Sequence, residues 1–423
     1  MKKTFKYRLY PNKQQEEILN SSIEVCRHLY NCCLGERIDA YKDKISFPKS
    51  YQRNTLPVLK KLDGLDDDFN INNVHSLVLQ DVIVRLDRAY ENFFRRVKEG
   101  NKKPGFPRFK GIGRYNSITY AQSGWKIEDK HLVLSKIGDI KIKLHRPLEG
   151  TPKTCIIIRK ANQWYCSISC DDVPLHPFPK TGLTVGVDVG ITKFATFSTD
   201  IAPIENPRIL QKALKELRIA QRELERRSVY EKKKQEKDEK KAKRKLAPCQ
   251  SHNREKSKLK VSRIHQKVAN VRREFHYTEA KKILEQYDVI CIEKLNVANM
   301  IRNHNLARYI ADVGWSQFAN ILKVKAESAV KYVIDKNPAY SSQRCNKCGH
   351  IDKNNRLSQA IFCCVKCGHI DNADKNAAKN QEEEWIHTST HSSSSKMRAG
   401  ISQKIDNVIP LHSGSDSLMQ EYA

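Results

Sequence analysis

Two short turns, Cys345-Asn-Lys-Cys348 and Cys364-Val-Lys-Cys367, constrain this chain more than any other feature. Together they read C-x2-C-x15-C-x2-C, and a glycine follows each pair, Gly349 and Gly368. Four thiolates at this spacing suit tetrahedral zinc. Each tight knuckle supplies two sulfurs, and the glycine lets the backbone turn. A redox-active CxxC normally occurs once, without a matched copy. Cys363 blurs the register beside Cys364, but the repeat of CxxCG in both halves favours Cys364 as the ligand. His350 and His369 are available substitutes, yet four cysteines already complete the shell. The expected zinc site is closed, so its role is architectural. The remaining cysteines, Cys26, Cys32, Cys33, Cys155, Cys166, Cys170, Cys249 and Cys291, are scattered among apolar residues. They read as small buried hydrophobes in a reducing compartment.

Charge narrows the partners. The 423 residues carry 77 Lys and Arg against 48 Asp and Glu, a formal charge of +29. Many dispersed cations reward phosphate neutralisation, so nucleic acid is the expected partner. An anionic membrane surface is the alternative, but no apolar run approaches the roughly 20 residues of a membrane span. The start, MKKTFKYRLYPNK, lacks the apolar core of a signal peptide. The expectation is an intracellular protein, cytoplasmic and nucleoid-associated when bound to DNA, with no membrane partner.

Along the chain, MKKTFKYRLY alternates as a strand ended by Pro11. A helical pattern follows from Asn12 to Tyr41, with Ile18, Ile23, Leu29 and Leu34 on one face. A second helix is expected from Asn73 to Lys98, with Val82, Leu86, Ala89, Phe93 and Val97 as a buried stripe. Its polar residues, among them Ser76, Gln80 and four arginines, form either a solvated face or a face that contacts phosphates and bases. The loop NKKPGFPRFKGIGRY offers Arg108 and Lys110 to phosphates and Phe106 and Phe109 to bases, or else is a connector whose two rings plug the core. From Ser117 to Cys170 several short strands suggest a small barrel or sandwich, and a proline-rich linker ends it near residue 180. Beyond it lie the apolar strands LTVGVDVG and KFATFST, a long charged helical arm, the strand YDVICIEKL and a helix, WSQFANILKVKAESAVKYV. The arm holds nine basic and four acidic residues between Glu231 and Lys245, so it reads as exposed or partly disordered. The serine-rich stretch beyond Trp385 reads as disordered.

Acids stand where chemistry would want them. Asp188 ends the apolar strand VGVDVG and Glu293 ends VICIE, positions that waste solvation energy unless each acid has a partner. Asp371 and Asp374 lie about one helical turn apart behind the second knuckle. Singly, each has a structural explanation. Strand ends often carry acids, Asp371 can cap the last helix, and Asp374 can favour its dipole. Together, two strand acids and a helix acid can converge at one sheet edge and share magnesium ions. A pair of such ions stabilises the attacking and leaving oxygens of phosphodiester hydrolysis.

GVDVGITKFAT, ICIEKLNVANM and CVKCGHIDNADKNAAKN resemble the three nuclease motifs and the zinc insert of transposon-encoded TnpB proteins, compact relatives of type V CRISPR effectors. FKYRLYPNKQQ, KKPGFPRFKG, DVGWSQFANILKVKAES and AYSSQRCNKCG resemble further family segments, so the likeness covers roughly residues 1 to 380. The resemblance implies an α+β multidomain fold. Its parts would be an RNase H-like (RuvC) nuclease domain over 180–340 with its arm at 207–277, a zinc-ribbon insert over 341–370 and a last helix over 371–385. A β-barrel-like wedge over 1–12 and 114–178 would hold a helical recognition region, 13–113, and 386–423 would be a disordered tail. It implies a catalytic triad of Asp188, Glu293 and Asp374 holding two Mg2+, with Asp371 as the cap. It places Arg356 at the scissile phosphate, and Ser76 and Gln80 as readers of a short flanking DNA motif. The implied partners are a guide RNA transcribed from the element's own end and double-stranded target DNA. Lys294 stands where many relatives have a second acid, and the arm is longer and more basic than usual; neither removes a triad member. The implied activity is RNA-guided DNA cleavage. A non-cleaving RNA-guided regulator, a DNA-joining transposase and a guide-free nuclease are the alternatives.

Overall fold

A computed structural model describes residues 1–48, 50–61, 70–242 and 251–390, and the chain divides into two units, 1–174 and 175–423. Cys249, the arm from 243 to 250 and the tail from 391 onward lie outside the described residues.

The first unit is built on β1 (Lys3–Tyr10), whose alternation buries Phe5, Tyr7 and Leu9 on one face. Three helices follow: α1 (Lys13–Lys42), α2 (Tyr51–Leu59) and α3 (Ser76–Lys98). Six strands then complete a sheet: β2 (Ser117–Tyr120), β3 (Trp125–Glu128), β4 (His131–Leu134), β5 (Gly138–Lys143), β6 (Thr151–Lys160) and β7 (Gln163–Asp171). The order is β2-β6-β7-β1-β5-β4-β3, antiparallel throughout, with the N-terminal strand at the centre. This is a single near-barrel sheet with β2 and β3 as its outer strands, where a barrel or a sandwich was expected.

Local chemistry sets the helix limits. Asn12 caps α1 and exchanges side-chain bonds with Gln15, whose backbone N–H donates to it at 2.8 Å and whose Oε1 accepts from the Asn12 N–H at 3.0 Å. The helix α3 starts three residues later than the periodicity predicts, because 71–73 form a 3-10 turn and His75 takes the cap. Val78, Leu79, Val82, Ile83 and Leu86 are its buried residues. The stripe was expected to reach Val97, but Val97 is exposed: the last turns of α3 run out past the core. Phe106 and Phe109 are exposed as well, so they do not plug the core. Cys32 is exposed, whereas Cys26, Cys33, Cys155, Cys166, Cys170 and Cys291 are buried.

The second unit carries a five-stranded sheet made of β8 (Thr184–Val189), β9 (Lys193–Phe197), β10 (Ile204–Glu205), β11 (Val289–Glu293) and β12 (Tyr332–Lys336). The order is β10-β9-β8-β11-β12; β8, β11 and β12 are parallel, while β9 and β10 run antiparallel. The strand β12 replaces the end of an expected helix. That helix, α8 (Trp315–Ala329), stops where Val330 adopts a left-handed conformation at φ 57°. Residues 332–336 then pair with β11, an interaction that local helix propensity cannot register.

The charged arm is two long helices, α4 (Ile209–Ala242) and α5 (His252–Gln286), which pack through Leu217, Ala220 and Ile264. The second helix continues past the expected limit of 277, and Ala280, Ile283 and Leu284 join the core of the sheet. Two short helices, α6 (Val297–Met300) and α7 (His304–Val313), lead into α8. A two-stranded hairpin, β13 (Ile361–Cys363) and β14 (Ile370–Asn372), precedes the last helix, α9 (Ala373–Thr390). That helix starts two residues later and ends five residues later than expected.

The helix α9 lies on β8 with almost no clearance. A Cβ on Gly186 would fall 1.9 Å from the Ala378 carbonyl oxygen. Gly186→Ala is therefore expected to destabilise the chain by about 1–3 kcal/mol or more, because backbone cannot yield as a side chain can. Gly35→Ala, in α1 with only a Phe109 ring carbon at 4.0 Å, is expected to be neutral or to stabilise by up to about 1 kcal/mol. Thermal melts of the two variants check the opposite signs.

Candidate functional site

Parallel pairing brings two acids to one sheet edge. The register of β8 and β11 ends at Val187↔Ile292, and Asp188 and Glu293 are the next residues on the two strands. Adjacent strands lie about 4.8 Å apart. Asp188 is two residues beyond Gly186, so it shares the face on which α9 lies. Asp374 sits one helical turn before Ala378, in the first turn of α9. The charges of Glu293 and Asp374 both act on Asp188, and the Arg356 guanidinium acts on it in the opposite sense. All four residues thus come together at the C-terminal edge of the parallel strands.

Each acid meets this crowding differently. Burial, and then the charges of Glu293 and Asp374, push the Asp188 carboxyl up to about 8. Burial also raises Glu293, opposed by a hydrogen bond from the Ser341 hydroxyl and by the buried Gln381 beside it. Asp374 accepts from Arg356 Nη2 at 3.3 Å, and the same Nη2 donates to the Gln359 carbonyl at 3.1 Å. Lys375, the next residue of α9, pairs with Asp200. Half-buried, mutually repelling carboxylates are oxygen donors of the kind hard divalent cations take.

The cap of α9 differs from expectation. Asn372 Oδ1 accepts from the backbone N–H groups of Asp374 at 3.0 Å and Lys375 at 3.2 Å. Asp371 belongs to β14 and is held by Lys379 Nζ at 2.7 Å. The hairpin ends so close to α9 that only Asn372 remains in the extended position from which a side chain can reach the first helical N–H groups.

The four cysteines form a tighter cluster. The sulfurs of Cys345, Cys348, Cys364 and Cys367 all lie within 4.8 Å of one another, the one such set of three or more His, Cys, Asp or Glu ligands among the described residues. Cys345 Sγ is 3.8 Å from Cys367 Sγ, and Cys348 Sγ is 3.6 Å from Cys364 Sγ. Sulfurs on a tetrahedral zinc at 2.3 Å stand about 3.8 Å apart, so the donors fit that ion. Cys363 pairs with Ile370 in the hairpin and is not part of the set. Gly349 and Gly368 have φ of 71° and 67°, the left-handed turn that each knuckle needs.

Amides tie the two clusters together. Buried Asn376 donates to the Arg344 carbonyl at 2.8 Å and accepts from the Asn346 N–H at 3.1 Å. Asn380, one turn on, donates to the carbonyls of Ser341 at 2.9 Å and Arg344 at 2.7 Å. The segment 341–346 therefore touches Glu293, holds α9 and carries Cys345. Sequence reading passed over Ser341, Asn376, Asn380 and Gln381. Their one signal was the i, i+4 spacing of Asn376 and Asn380, a pattern common on solvated helices.

In the first unit, exposed Ser76 opens α3 and accepts from Lys60 Nζ at 3.0 Å, and Gln80 is half-buried one turn later. Arg108 is exposed. Lys110 is anchored by its backbone: its N–H donates to Asn31 at 2.7 Å, and its ammonium lies 5.3 Å from the Tyr30 ring centre. Among the described residues no helix is long and apolar enough to cross a membrane.

Three family matches cover most of the chain. Residues 166–304 match a family described as "Probable transposase", 315–381 match "Cas12f1-like, TNB domain", and 1–45 match "Helix-turn-helix domain". In that last region the chain folds as a strand and one 30-residue helix. A protein of Escherichia coli (strain K12) named "Putative RNA-guided DNA endonuclease InsQ" is 30% identical over 402 residues, 89% of this chain and 90% of that protein. A Streptomyces pristinaespiralis protein named "Putative RNA-guided DNA endonuclease" is 30% identical over 389 residues, 90% of this chain and 88% of that one. A "CRISPR-associated endodeoxyribonuclease Cas12f1" of Sulfoacidibacillus thermotolerans is 30% identical over 130 residues, 30% of this chain and 31% of that one.

The acid cluster has a pH signature. Without magnesium, the unfolded chain releases the Asp188 proton near pH 4, while the folded chain keeps it to about pH 8. The folded state holds the extra proton between those limits. The stability this contributes is full below pH 4 and is lost as pH rises to 8. Asp188→Asn removes the titration. In magnesium-free buffer its melting temperature, relative to the unsubstituted chain, is expected to be higher at pH 8.5 than at pH 4.5 by about 5 °C. Equal differences at both pH values would refute the coupling.

Proposed function

The chain belongs to the TnpB family, and from that premise we propose that it is an RNA-guided DNA endonuclease whose phosphodiester chemistry is carried by Asp188, Glu293 and Asp374. The observation that carries the reading is the convergence of these carboxylates, on two parallel strands and one helix, in a chain of net charge +29.

In this reading the three acids would hold two magnesium ions, whose Lewis acidity would serve phosphodiester hydrolysis. The side chains do the rest. Asp188 and Glu293 fix the site at a rigid sheet edge, and α9 sets Asp374 against them. Arg356, which donates to Asp374, contacts the scissile phosphate in this reading. Ser341 orients the Glu293 carboxyl. Guide pairing reads the target sequence, while Ser76 and Gln80 read a short flanking motif and Arg108 and Lys110 meet phosphates. The guide is RNA from the element's own end, and the target is double-stranded DNA.

The acid cluster equally fits a DNA-joining transposase, and products separate the readings. The protein is purified with its bound RNA and offered matched DNA with randomised flanks and magnesium. Cleaved DNA is expected. Bound but intact DNA would mark a non-cleaving regulator, joined ends a transposase, and cutting that survives RNA removal a guide-free nuclease. Alanine at Asp188, Glu293 or Asp374 is expected to cut the rate about a thousandfold or more, with RNA affinity unchanged.

The cysteine set is assigned to structural zinc. Elemental analysis is expected to give about one zinc per chain. Cys364→Ser is expected to lose it and Cys363→Ser to keep it. Because 341–346 connects the knuckle to Glu293 and α9, a stripped chain is expected to recover cutting only when zinc returns along with magnesium. Recovery with magnesium alone would refute the architectural role of the zinc site.

A further inference from the structure

The outer half of α3 and the loop 101–114 display aromatic rings that the reading above leaves unused. Phe106 stands nearly perpendicular to Tyr90 and Phe93, with ring centres 5.6 and 5.3 Å away. Phe94 stacks on Tyr90 at 6.2 Å and touches Phe93 at 5.2 Å. Three phenyl rings open to water: Phe94 at 60% exposure, Phe106 at 45% and Phe109 at 58%. Burying one such ring is worth roughly 1.5–3 kcal/mol, and rings gathered in one exposed patch, unlike apolar residues scattered singly, mark an interaction site.

Tyr90 and Phe93 hold the rings of Phe94 and Phe106 together, and Phe109 follows three residues on in the same anchored loop. Arg96 Nη2 donates to the Gly105 carbonyl at 3.0 Å, fixing the loop to α3. At the loop's far side, Arg27 Nη1 and Asn31 Nδ2 donate to the Lys110 carbonyl at 3.1 and 3.0 Å, fixing it to α1. The Arg37 guanidinium lies 5.4 Å from the Tyr90 ring centre. Charge identifies the occupant. Between Arg88 and Lys110 there are eight basic residues and two acidic ones, so the patch faces a polyanion that has flat apolar faces. An unpaired nucleic-acid strand has both, since every base offers a π-face and every nucleotide a phosphate.

We propose that Phe94, Phe106 and Phe109 form a stacking platform for unpaired bases of the bound RNA. The commitment to RNA rests on the RNA-guided reading, in which RNA occupies the protein before any DNA arrives and so covers the rings in the resting state.

The test uses the full-length chain and a 30-nucleotide single-stranded RNA carrying 4-thiouridine, beside its duplex and the DNA strand of equal sequence. Photo-cross-links are expected in the peptides that contain Phe94, Phe106 or Phe109, and to be several-fold weaker with the duplex. The double variant Phe94→Ala, Phe106→Ala is expected to bind the RNA strand about tenfold more weakly, with the slope of log K against log salt unchanged. Phe94→Leu with Phe106→Leu keeps the apolar bulk without the π-face. It is expected to lose as much, and it replaces the alanine pair if that pair unfolds. Lys102→Gln with Lys103→Gln is expected to reduce the slope by about one to two. Cross-links confined to other peptides, equal labelling by the duplex, preference for the DNA strand, or an aromatic loss that brings a shallower slope would each overturn the platform. The assay involves no cleavage. Guided cutting without platform cross-links defeats this proposal alone, and platform cross-links without guided cutting defeat only the activity assigned above.

Discussion

The close approach of α9 to β8 is the contact on which the second unit's chemistry depends. Gly186 has no Cβ, so the helix backbone settles directly on the strand. That brings the first turn of α9, and with it Asp374, beside the sheet edge where Asp188 and Glu293 end their strands. The position of Asp374 is a packing result, set by backbone against backbone. Asn376 and Asn380 lock the other side of the same helix to the segment 341–346. Cys345 lies within that segment, so the architecture around one knuckle reaches the carboxylates through six residues and four hydrogen bonds made by the side-chain amides of Asn376 and Asn380.

The electrostatics of the edge point the same way. Like charges at this spacing cannot all ionise without a counter-charge. The chain divides the problem three ways: Asp188 holds its proton toward pH 8, Glu293 accepts from Ser341, and Asp374 pairs with Arg356. None of these arrangements neutralises the set. The surplus negative charge is what the proposed divalent cations would offset.

The first unit solves a different problem. Its N-terminal strand pairs at the centre of the sheet with β5 and β7, so the helices α1 to α3 are carried between the first strand and the rest. The half of α3 nearest the sheet is packed into the core, while the outer half leaves it. That change of environment along one helix turns a uniform apolar periodicity into a buried stripe at one end and a displayed aromatic face at the other.

What was legible in the sequence was local. The cysteine spacing, the glycine after each knuckle, and the strands that end in Asp188 and Glu293 depend on neighbours within a few residues, and short-range chemistry writes them plainly. What was not legible depended on pairing at a distance. The strand β12 looked like helix because only β11 makes it a strand, and Val97 looked buried because periodicity cannot say where a core ends. Asp371 looked like the cap because the hairpin that carries it was unseen. The residue types and spacings determined by themselves that this chain holds a four-cysteine knuckle and a strongly basic surface. Only the tertiary structure decided that acids separated by about a hundred residues share one edge, because parallel register and the absence of a side chain at Gly186 are satisfied by the folded chain as a whole.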